Sequence, residues 1–455
     1  MKKHFLLTIV ILFAVVLASC APAAAPAEEA PAAEEPAEEA PAEEAEEAEE
    51  AEVEEEAMEE APACVEATCE DEAVEAVAQA IVDVACAEDA YGCAVIEPGQ
   101  TVKIGMSSPM TGGYADFGID AENSGLLAVK DACGYAGFSF ELVAEDDEGG
   151  GEGGAAVANK LTADPSVVGV AGPLFSGATA AGIPIYDDKG VVMLSPSATN
   201  PDLTKVGSAV FNRLPFTDDA QGAMIADFLF NTLGLTKIAA MHDGEEYGKG
   251  LAQIAKDQFE LVGGEVTAFE GVTPGEADYS PVLTTIAVDA PEAIYFGGYN
   301  QEGAVLTNQM KTVGLENAVF FGCDGTYGAD YLTQAGENAE GTYHTTPKSP
   351  PTTDAKANFD VCYESAYGVA PVVLSPFSYM SYDATTALIM AAKEAAMLSK
   401  NGNLYIPRGA VVDAIRNLTE WAGISGTYTC DDIGECNAEG TQIWVVKDGD
   451  FVPAE

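Results

Sequence analysis

The sequence predicts an α/β fold: two doubly wound lobes, joined by crossover segments, with a cleft between them. From residue 100 onward, short apolar runs of β type alternate with longer stretches of helical periodicity, which indicates strands of a parallel sheet connected by helices. Gly residues and Asn-Pro pairs punctuate the junctions. A strand-like segment at residues 210–216 divides the runs into two sets, which indicates a crossover between two lobes.

The predicted strands are short and apolar, as expected for strands covered on both faces. They cover residues 102–106, 138–143, 167–171, 191–194, 237–242, 265–270, 293–297 and 319–322, with a terminal β section that includes 441–446. The predicted helices cover residues 118–132, 154–162, 178–189, 220–233, 248–262, 279–288, 302–313, 355–367, 376–399 and 408–418. A Pro-rich stretch at residues 345–351 has the composition of a hinge loop.

The N-terminus is predicted to be a signal peptide, residues 1–19. Lys2 and Lys3 precede an apolar run at residues 5–18, which is too short to span a membrane comfortably. The run ends in Leu-Ala-Ser-Cys, which resembles the bacterial lipoprotein box, so Cys20 is the predicted site of lipidation. An ordinary signal peptide followed by a chance cysteine is the alternative.

Composition also sets the predicted domain order. Residues 20–63 are almost entirely Ala, Glu and Pro, a mixture that cannot bury a core, and we interpret them as a lipid-anchored acidic linker. Residues 64–98 form a Cys-containing segment that precedes the lobes. Two stretches are expected to build each lobe: residues 99–215 plus 346–427 for lobe 1, and residues 216–345 plus 428–455 for lobe 2.

The charge balance narrows the possible partners. The 455-residue chain has 75 Asp and Glu against 19 Lys and Arg, a formal net charge of −56. Such a chain repels nucleic acid and anionic bilayer surfaces, so no nucleic-acid function is expected. Acidity in the folded part would also suit high ionic strength, where salt screens self-repulsion, and this suggests a saline habitat as a hypothesis.

Ten cysteines favour an oxidising compartment outside the cytoplasm. The closely spaced ones predict small-loop disulfides. These pairs are Cys64–Cys69, Cys86–Cys93 and Cys430–Cys436. Cys323 and Cys362 form a weaker candidate pair, and Cys133 is the expected unpaired thiol. Because the sequence has no CxxC motif and its three histidines are scattered, no metal site is predicted.

Motifs of catalysis are missing from the sequence. It contains no GxSxG elbow, P-loop, HExxH or EF-hand loop, so neither an enzyme nor a cofactor is predicted. His242 is the only plausible general base, and an esterase-like site that uses it with Ser176 or Ser197 is a remote alternative.

Hydroxyl and aromatic side chains follow the ends of several predicted strands, where open α/β sheets bind ligands. In the first set of strands these loops offer Ser and Thr hydroxyls and helix N-termini. In the second set they offer Tyr side chains and the carboxylate of Asp324. This pairing suits a zwitterion, since N–H groups and hydroxyls bind a carboxylate and Asp324 binds an ammonium group.

Three segments carry a resemblance to a known family. They are residues 193–204 (MLSPSATNPDLT), 242–252 (HDGEEYGKGLA) and 294–299 (IYFGGY). The chain from about residue 98 to its end resembles the type I periplasmic binding proteins, specifically the branched-chain amino acid (Leu/Ile/Val) binding family of ABC importers, in lipoprotein form. The resemblance implies two closing α/β lobes with the ligand in the cleft.

Carried over by position, the family's ligand-binding groups fall on Phe117, Phe175, Ser176, Ser197, Ala198, Thr199, Tyr247, Tyr299 and Asp324. Ser176, the Ser197 backbone and Thr199 would hold the ligand α-carboxylate and part of its ammonium group, and Asp324 would pair with the ammonium. The Tyr side chains would close over the ligand, and the Phe side chains would shape its side-chain pocket. The family typically has Glu in place of Asp324, and the disulfide found in the first lobe of some members is missing here.

The resemblance implies an extracytoplasmic substrate-binding lipoprotein that captures a branched-chain or other apolar amino acid and delivers it to ABC transporter permease subunits. It would be anchored to the cell membrane by its N-terminal lipid and would act as a monomer. A sensor, or a binding protein for an amide or urea-type solute with the same fold, is the alternative.

Overall fold

The computed structural model describes residues 63–69, 72–436 and 440–454. The predicted signal peptide, Cys20 and nearly all of the acidic linker lie outside the described residues. Within the described ranges, none of the helices combines the length and the apolar character needed to cross a membrane.

The described chain alternates strands and helices through most of its length. The strands are β1 (Cys93–Ile96), β2 (Val102–Ser108), β3 (Phe140–Asp146), β4 (Val167–Ala171), β5 (Val192–Ser195), β6 (Phe211–Arg213), β7 (Lys237–His242), β8 (Glu265–Gly271), β9 (Ala293–Gly297), β10 (Val319–Phe321), β11 (Tyr343–Pro347), β12 (Met397–Leu398), β13 (Leu404–Pro407), β14 (Trp421–Ala422), β15 (Thr427–Tyr428), β16 (Thr441–Lys447) and β17 (Asp450–Pro453). The α-helices are α1 (Gln79–Glu88), α2 (Ala115–Asp131), α3 (Gly151–Ala163), α4 (Ser176–Lys189), α5 (Asp202–Lys205), α6 (Asp218–Asp227), α7 (Glu246–Leu261), α8 (Ser280–Ala287), α9 (Asn300–Met310), α10 (Ala329–Ala335), α11 (Asp354–Tyr367), α12 (Ser378–Ala395) and α13 (Arg408–Arg416).

Two larger sheets form the centres of two α/β lobes. The first has the order β3-β2-β4-β5-β6 and is parallel throughout. The second has the order β17-β16-β11-β10-β9-β7-β8, in which the five strands from β11 to β8 are parallel and β16 and β17 run antiparallel. All eight strands predicted between residues 102 and 322 are confirmed, with small shifts at their ends.

Burial of these strands explains their apolar sequence patterns, from which they are predicted. Every residue of β4, β5 and β9 is buried, as expected for strands with helices on both faces. The strand-like segment at residues 210–216 contains β6, which is the edge strand of the first sheet and pairs with β5. The polypeptide therefore leaves the first sheet immediately after Arg213.

Two element predictions were wrong in part. The helix predicted for residues 376–399 ends at Ala395, because Met397 and Leu398 pair with β13. The Pro-rich stretch begins inside a strand, since Thr345 and Pro347 belong to β11 and pair with β16. In both places a partner strand distant in sequence supplies the hydrogen bonds that fix the backbone.

The cysteine pairing corrects three predictions. Cys64 bonds to Cys362 and Cys69 bonds to Cys133, so the predicted Cys64–Cys69 and Cys323–Cys362 pairs are both wrong. Cys133 is paired, and among the described cysteines the free thiol is the buried Cys323. Sequence spacing misled because residues 63–69 lie against α11 and the end of α2, which are distant in sequence. Cys86–Cys93 and Cys430–Cys436 are confirmed.

Candidate functional site

The predicted ligand-binding residues lie at the carboxyl ends of parallel strands in both sheets. Ser176 begins α4 after β4, and Ser197 follows β5. From the second sheet, Tyr247 lies in the first turn of α7 and Tyr299 directly precedes α9. Asp324 follows β10. Because the carboxyl ends of parallel strands meet at one edge of a sheet, each sheet presents its loops to the other across a cleft.

One pocket between the two sheets collects most of these side chains. It is lined by Phe117, Leu174, Phe175, Ser176, Ser197, Tyr247, Tyr299, Asp324, Gly325 and Phe377. Of the nine residues predicted for the site, Ala198 and Thr199 do not line this pocket and are buried beside it. The structure therefore brings together the hydroxyl loop, the aromatic side chains and the carboxylate that the sequence placed on separate strands.

Side-chain hydrogen bonds fix the loop after β5. Ser195 Oγ donates to Pro173 O at 2.6 Å, and Ser197 Oγ donates to Leu174 O at 2.6 Å. Ala198 N donates to Ser195 Oγ at 3.0 Å. The Ser197 hydroxyl thus ties its loop to the neighbouring strand-end loop.

Arg213 also holds the loop after β5 in place. Its guanidinium is fully buried and donates to Ala198 O at 3.2 Å and to Asn200 O at 2.6 Å. Glu435 neutralises it through two contacts, Nε to Oε2 at 2.8 Å and Nη2 to Oε1 at 2.5 Å. A bidentate pair of this kind has a fixed geometry, so the loop is held by a rigid charged group.

Asp324 provides the carboxylate of the pocket. It is 3% exposed, Tyr247 Oη donates to its Oδ1 at 2.6 Å, and Gln221 also donates to it. Burial raises the pKa of Asp324 to about 6, although both hydrogen bonds act in the opposite direction. The next residue is Gly325, where a Cβ would collide with the carbonyl oxygen of Gly298, so only glycine lets the backbone approach this closely.

Aromatic side chains meet across the cleft. Phe175 of the first lobe stacks on Tyr299 of the second with ring centroids 4.2 Å apart, and Tyr114 lies 4.9 Å from the same ring. Asn200 Nδ2 also donates to Glu246 O across the cleft at 2.9 Å. These contacts leave a pocket volume of about 10 Å³, the space of one water molecule, so any larger ligand requires the lobes or the rings to separate.

Comparison with known proteins identifies the family. A family model described as periplasmic binding protein matches residues 101–445, which is most of the chain. The chain belongs to the periplasmic binding protein family. The described chain folds as two α/β lobes of the type I architecture in this family.

Two sequence relatives and one solved structure illustrate what this binding protein is similar to. An amino acid binding protein of Pseudomonas aeruginosa is 34% identical over 52% of this chain and 63% of its own length, which is less than two thirds of that relative. The leucine-, isoleucine-, valine-, threonine- and alanine-binding protein of the same species is 33% identical over 55% of this chain and 67% of its own. A branched-chain amino acid transporter substrate-binding protein of Streptococcus pneumoniae, solved with isoleucine, superposes with a TM-score of 0.68 at 26% identity, covering 77% and 98% of the two chains.

Sequence reasoning missed several residues that line or support this binding protein's pocket. Phe377 lies at the start of α12, two hundred residues from the first-lobe loops, so no local pattern connects it with them. Gln221 lies one helical turn into α6 and gives no signal in sequence. Arg213 did offer one: it is the single basic residue within the mostly apolar segment 210–216 of a very acidic chain.

Proposed function

We propose that this binding protein captures a branched-chain or other apolar amino acid in the cleft and delivers it to the permease of an ABC importer. The names of the Pseudomonas and Streptococcus relatives support the class of ligand and the transport role. The position of Asp324 is the main support for the proposal. Its carboxyl group is buried on the pocket wall, held by neutral donors, and none of the basic side chains in the described ranges forms an ion pair with it.

The ligand's charged groups have complementary partners on the two sides of the cleft. Asp324 would pair with the ammonium group. Ser176, the backbone of Ser197 and Thr199 would hold the carboxylate and part of the ammonium, with Ala198 beside them. Four aromatic side chains would enclose the apolar side chain of the ligand: Phe117, Phe175, Tyr247 and Tyr299.

Closure would follow the lobe division expected from the sequence, residues 99–215 plus 346–427 against residues 216–345 plus 428–455. A ligand that contacts both lobes stabilises the closed arrangement, because it binds that arrangement more tightly than the open one. The chain would act as a non-enzymatic monomer. A signal peptide at residues 1–19 would direct export and be cut off before Cys20. Lipid on Cys20 and the acidic linker would then tether the protein to the cell membrane on its extracytoplasmic side.

Calorimetry tests the proposal directly. The protein is titrated with leucine, isoleucine and valine, and with isovaleramide and urea as neutral solutes. We expect micromolar or tighter binding of at least one of the three amino acids and none of urea. Asp324→Ala should weaken binding of the amino acid by roughly a hundredfold, as expected for loss of a buried charge-assisted hydrogen bond. Binding of the amides alone would instead favour an amide-binding protein with the same fold.

A further inference from the structure

A second, larger cavity lies beside the segments that connect the two sheets. Its volume is about 310 Å³, and it shares no lining residue with the ligand pocket. Tyr327 and Trp444 line it from the second lobe, while Tyr379 and Met380 of α12 line it from the first. The end of β11 and the connecting stretch that follows it form a further wall. A molecule in this cavity would therefore contact both lobes and the connection between them.

Three aromatic side chains line the cavity, among polar side chains and prolines. Trp444 and Tyr327 lie with ring centroids 5.8 Å apart, and Tyr379 faces the same space from α12. Met380 adds a flexible apolar surface, which adapts to planar groups. Cavities of about this volume are typical of small-molecule sites.

The described lining of the cavity has basic side chains and no acidic one. The chain has 75 acidic and 19 basic residues, yet the described residues that line the cavity include two lysines, Lys348 and Lys356, and no acidic side chain. Lys356 Nζ is held 2.7 Å from Asp360 Oδ2 and 4.6 Å from the centre of the Tyr379 ring. An ammonium group has three donors, so the pair with Asp360 positions Lys356 without using all of its capacity.

We infer that this cavity is a second binding site, for a small aromatic carboxylate, and that its occupancy is coupled to movement of the lobes. The planar ring lies among Trp444, Tyr327 and Tyr379, and the carboxylate accepts a hydrogen bond from Lys356. Because the walls come from both lobes, opening the cleft changes the shape of this site. Occupancy of the cavity and binding in the cleft therefore alter each other's affinity by the same factor.

Tryptophan fluorescence gives a direct readout. The sequence has two tryptophans, and Trp421 lies outside this cavity, so a full-length Trp421→Phe variant reports on Trp444 alone. Benzoate and phenylacetate are the probes, and phenylacetamide is the neutral analogue. We expect saturable quenching by the carboxylates and at least roughly tenfold weaker binding of the amide, the equivalent of one charge-assisted hydrogen bond. The readout does not depend on which ligand the cleft binds, so it is independent of the proposed transport function.

Two substitutions locate the probe. Lys356→Gln removes the charge, and Thr352→Phe fills the cavity from an exposed lining position. Each substitution should weaken binding of the carboxylate probes by roughly tenfold or more. Lys256→Gln is the matched control, because it removes a lysine that pairs with Glu260 on α7. It should leave the affinity for the carboxylate probes unchanged.

Coupling is measured by repeating the titration with saturating leucine present. A changed affinity for phenylacetate, matched by the same factor in the affinity for leucine, supports the inference, and an affinity for phenylacetate that bound leucine leaves unchanged would overturn the coupling. If probe concentrations up to about 10 mM cause no quenching, the inference is overturned. Equal affinity for phenylacetate and phenylacetamide would also overturn it, as would quenching that both Lys356→Gln and Thr352→Phe leave unchanged.

Discussion

Asp324 should make ligand affinity depend on pH. Burial raises its pKa to about 6, so the carboxyl group of the free protein is protonated below that pH and ionised above it. An ammonium ligand requires the ionised form, and binding at low pH must therefore release a proton. We expect the Kd for leucine to be constant above about pH 7 and to rise by up to about tenfold per pH unit below pH 6. Calorimetry in buffers of different ionisation enthalpy measures both the Kd and the released proton.

Asp324→Asn is the control for this pH dependence. The amide cannot ionise, so the variant should bind leucine weakly and release no proton between pH 5 and 7. A second acid lies within electrostatic range: burial, and then the charge of Asp324, raise the pKa of Asp218 well above its usual value. A pH slope that survives in Asp324→Asn would assign the titration to Asp218 and contradict the role given to Asp324.

The Arg213–Glu435 pair should matter more for stability than an exposed pair. Arg213 has no exposed surface, so Glu435→Gln leaves a buried cation without its neutralising partner. We expect a loss of about 3 kcal/mol in the free energy of unfolding, measured by guanidinium titration. Glu260→Gln, which breaks the exposed pair with Lys256, should cost less than about 1 kcal/mol. Equal losses would mean that Glu435 contributes no more than a surface charge.

Among the elements, the N-terminal segment has one disulfide to the residues after α2, Cys69–Cys133, and one within itself, Cys86–Cys93. Cys69–Cys133 closes a loop of 64 residues and Cys86–Cys93 a loop of 7. Loop entropy predicts that Cys69→Ser with Cys133→Ser costs about 4 kcal/mol, against about 2 kcal/mol for Cys86→Ser with Cys93→Ser. Calorimetric unfolding of both double variants tests the order. If the short loop proves the costlier, packing rather than chain entropy dominates at this segment.

The same segment shows what sequence patterns can and cannot predict. The strands from β2 to β10 were predicted because each is a short apolar run that is buried by its neighbours and bounded by turn residues. β1 was missed because its partner is β13, an antiparallel strand some three hundred residues away that no local pattern identifies. Cys64–Cys69 was predicted wrongly for the same reason, since spacing in sequence does not give distance in the fold.

The pocket divides along similar lines. Tyr247, Tyr299 and Asp324 were placed together because strand-end loops share one edge of a sheet and the resemblance gave them roles. Phe377 and Gln221 come from helices, where position depends on how the helix packs. The contact of Phe175 with Tyr299 depends on how closely the two lobes approach, and sequence carries no measure of that distance.

For the whole molecule, the decisive prediction is that ligand entry requires the lobes to separate. A Cβ on Gly177, in the first turn of α4, would lie 3.9 Å from Cβ of Glu246 at the start of α7, a separation that suits a disulfide across the cleft. Gly177→Cys with Glu246→Cys, once oxidised, should therefore bind leucine far more slowly than the reduced form, in stopped-flow or surface-based kinetics. The matched control is Gly151→Cys with Ala181→Cys, where the corresponding separation of 3.7 Å lies within the first lobe, and its cross-link should leave the association rate unchanged. Rapid leucine binding by the oxidised cleft variant would show that rearrangement of Phe175 and Tyr299 alone admits the ligand, and would contradict entry by lobe opening.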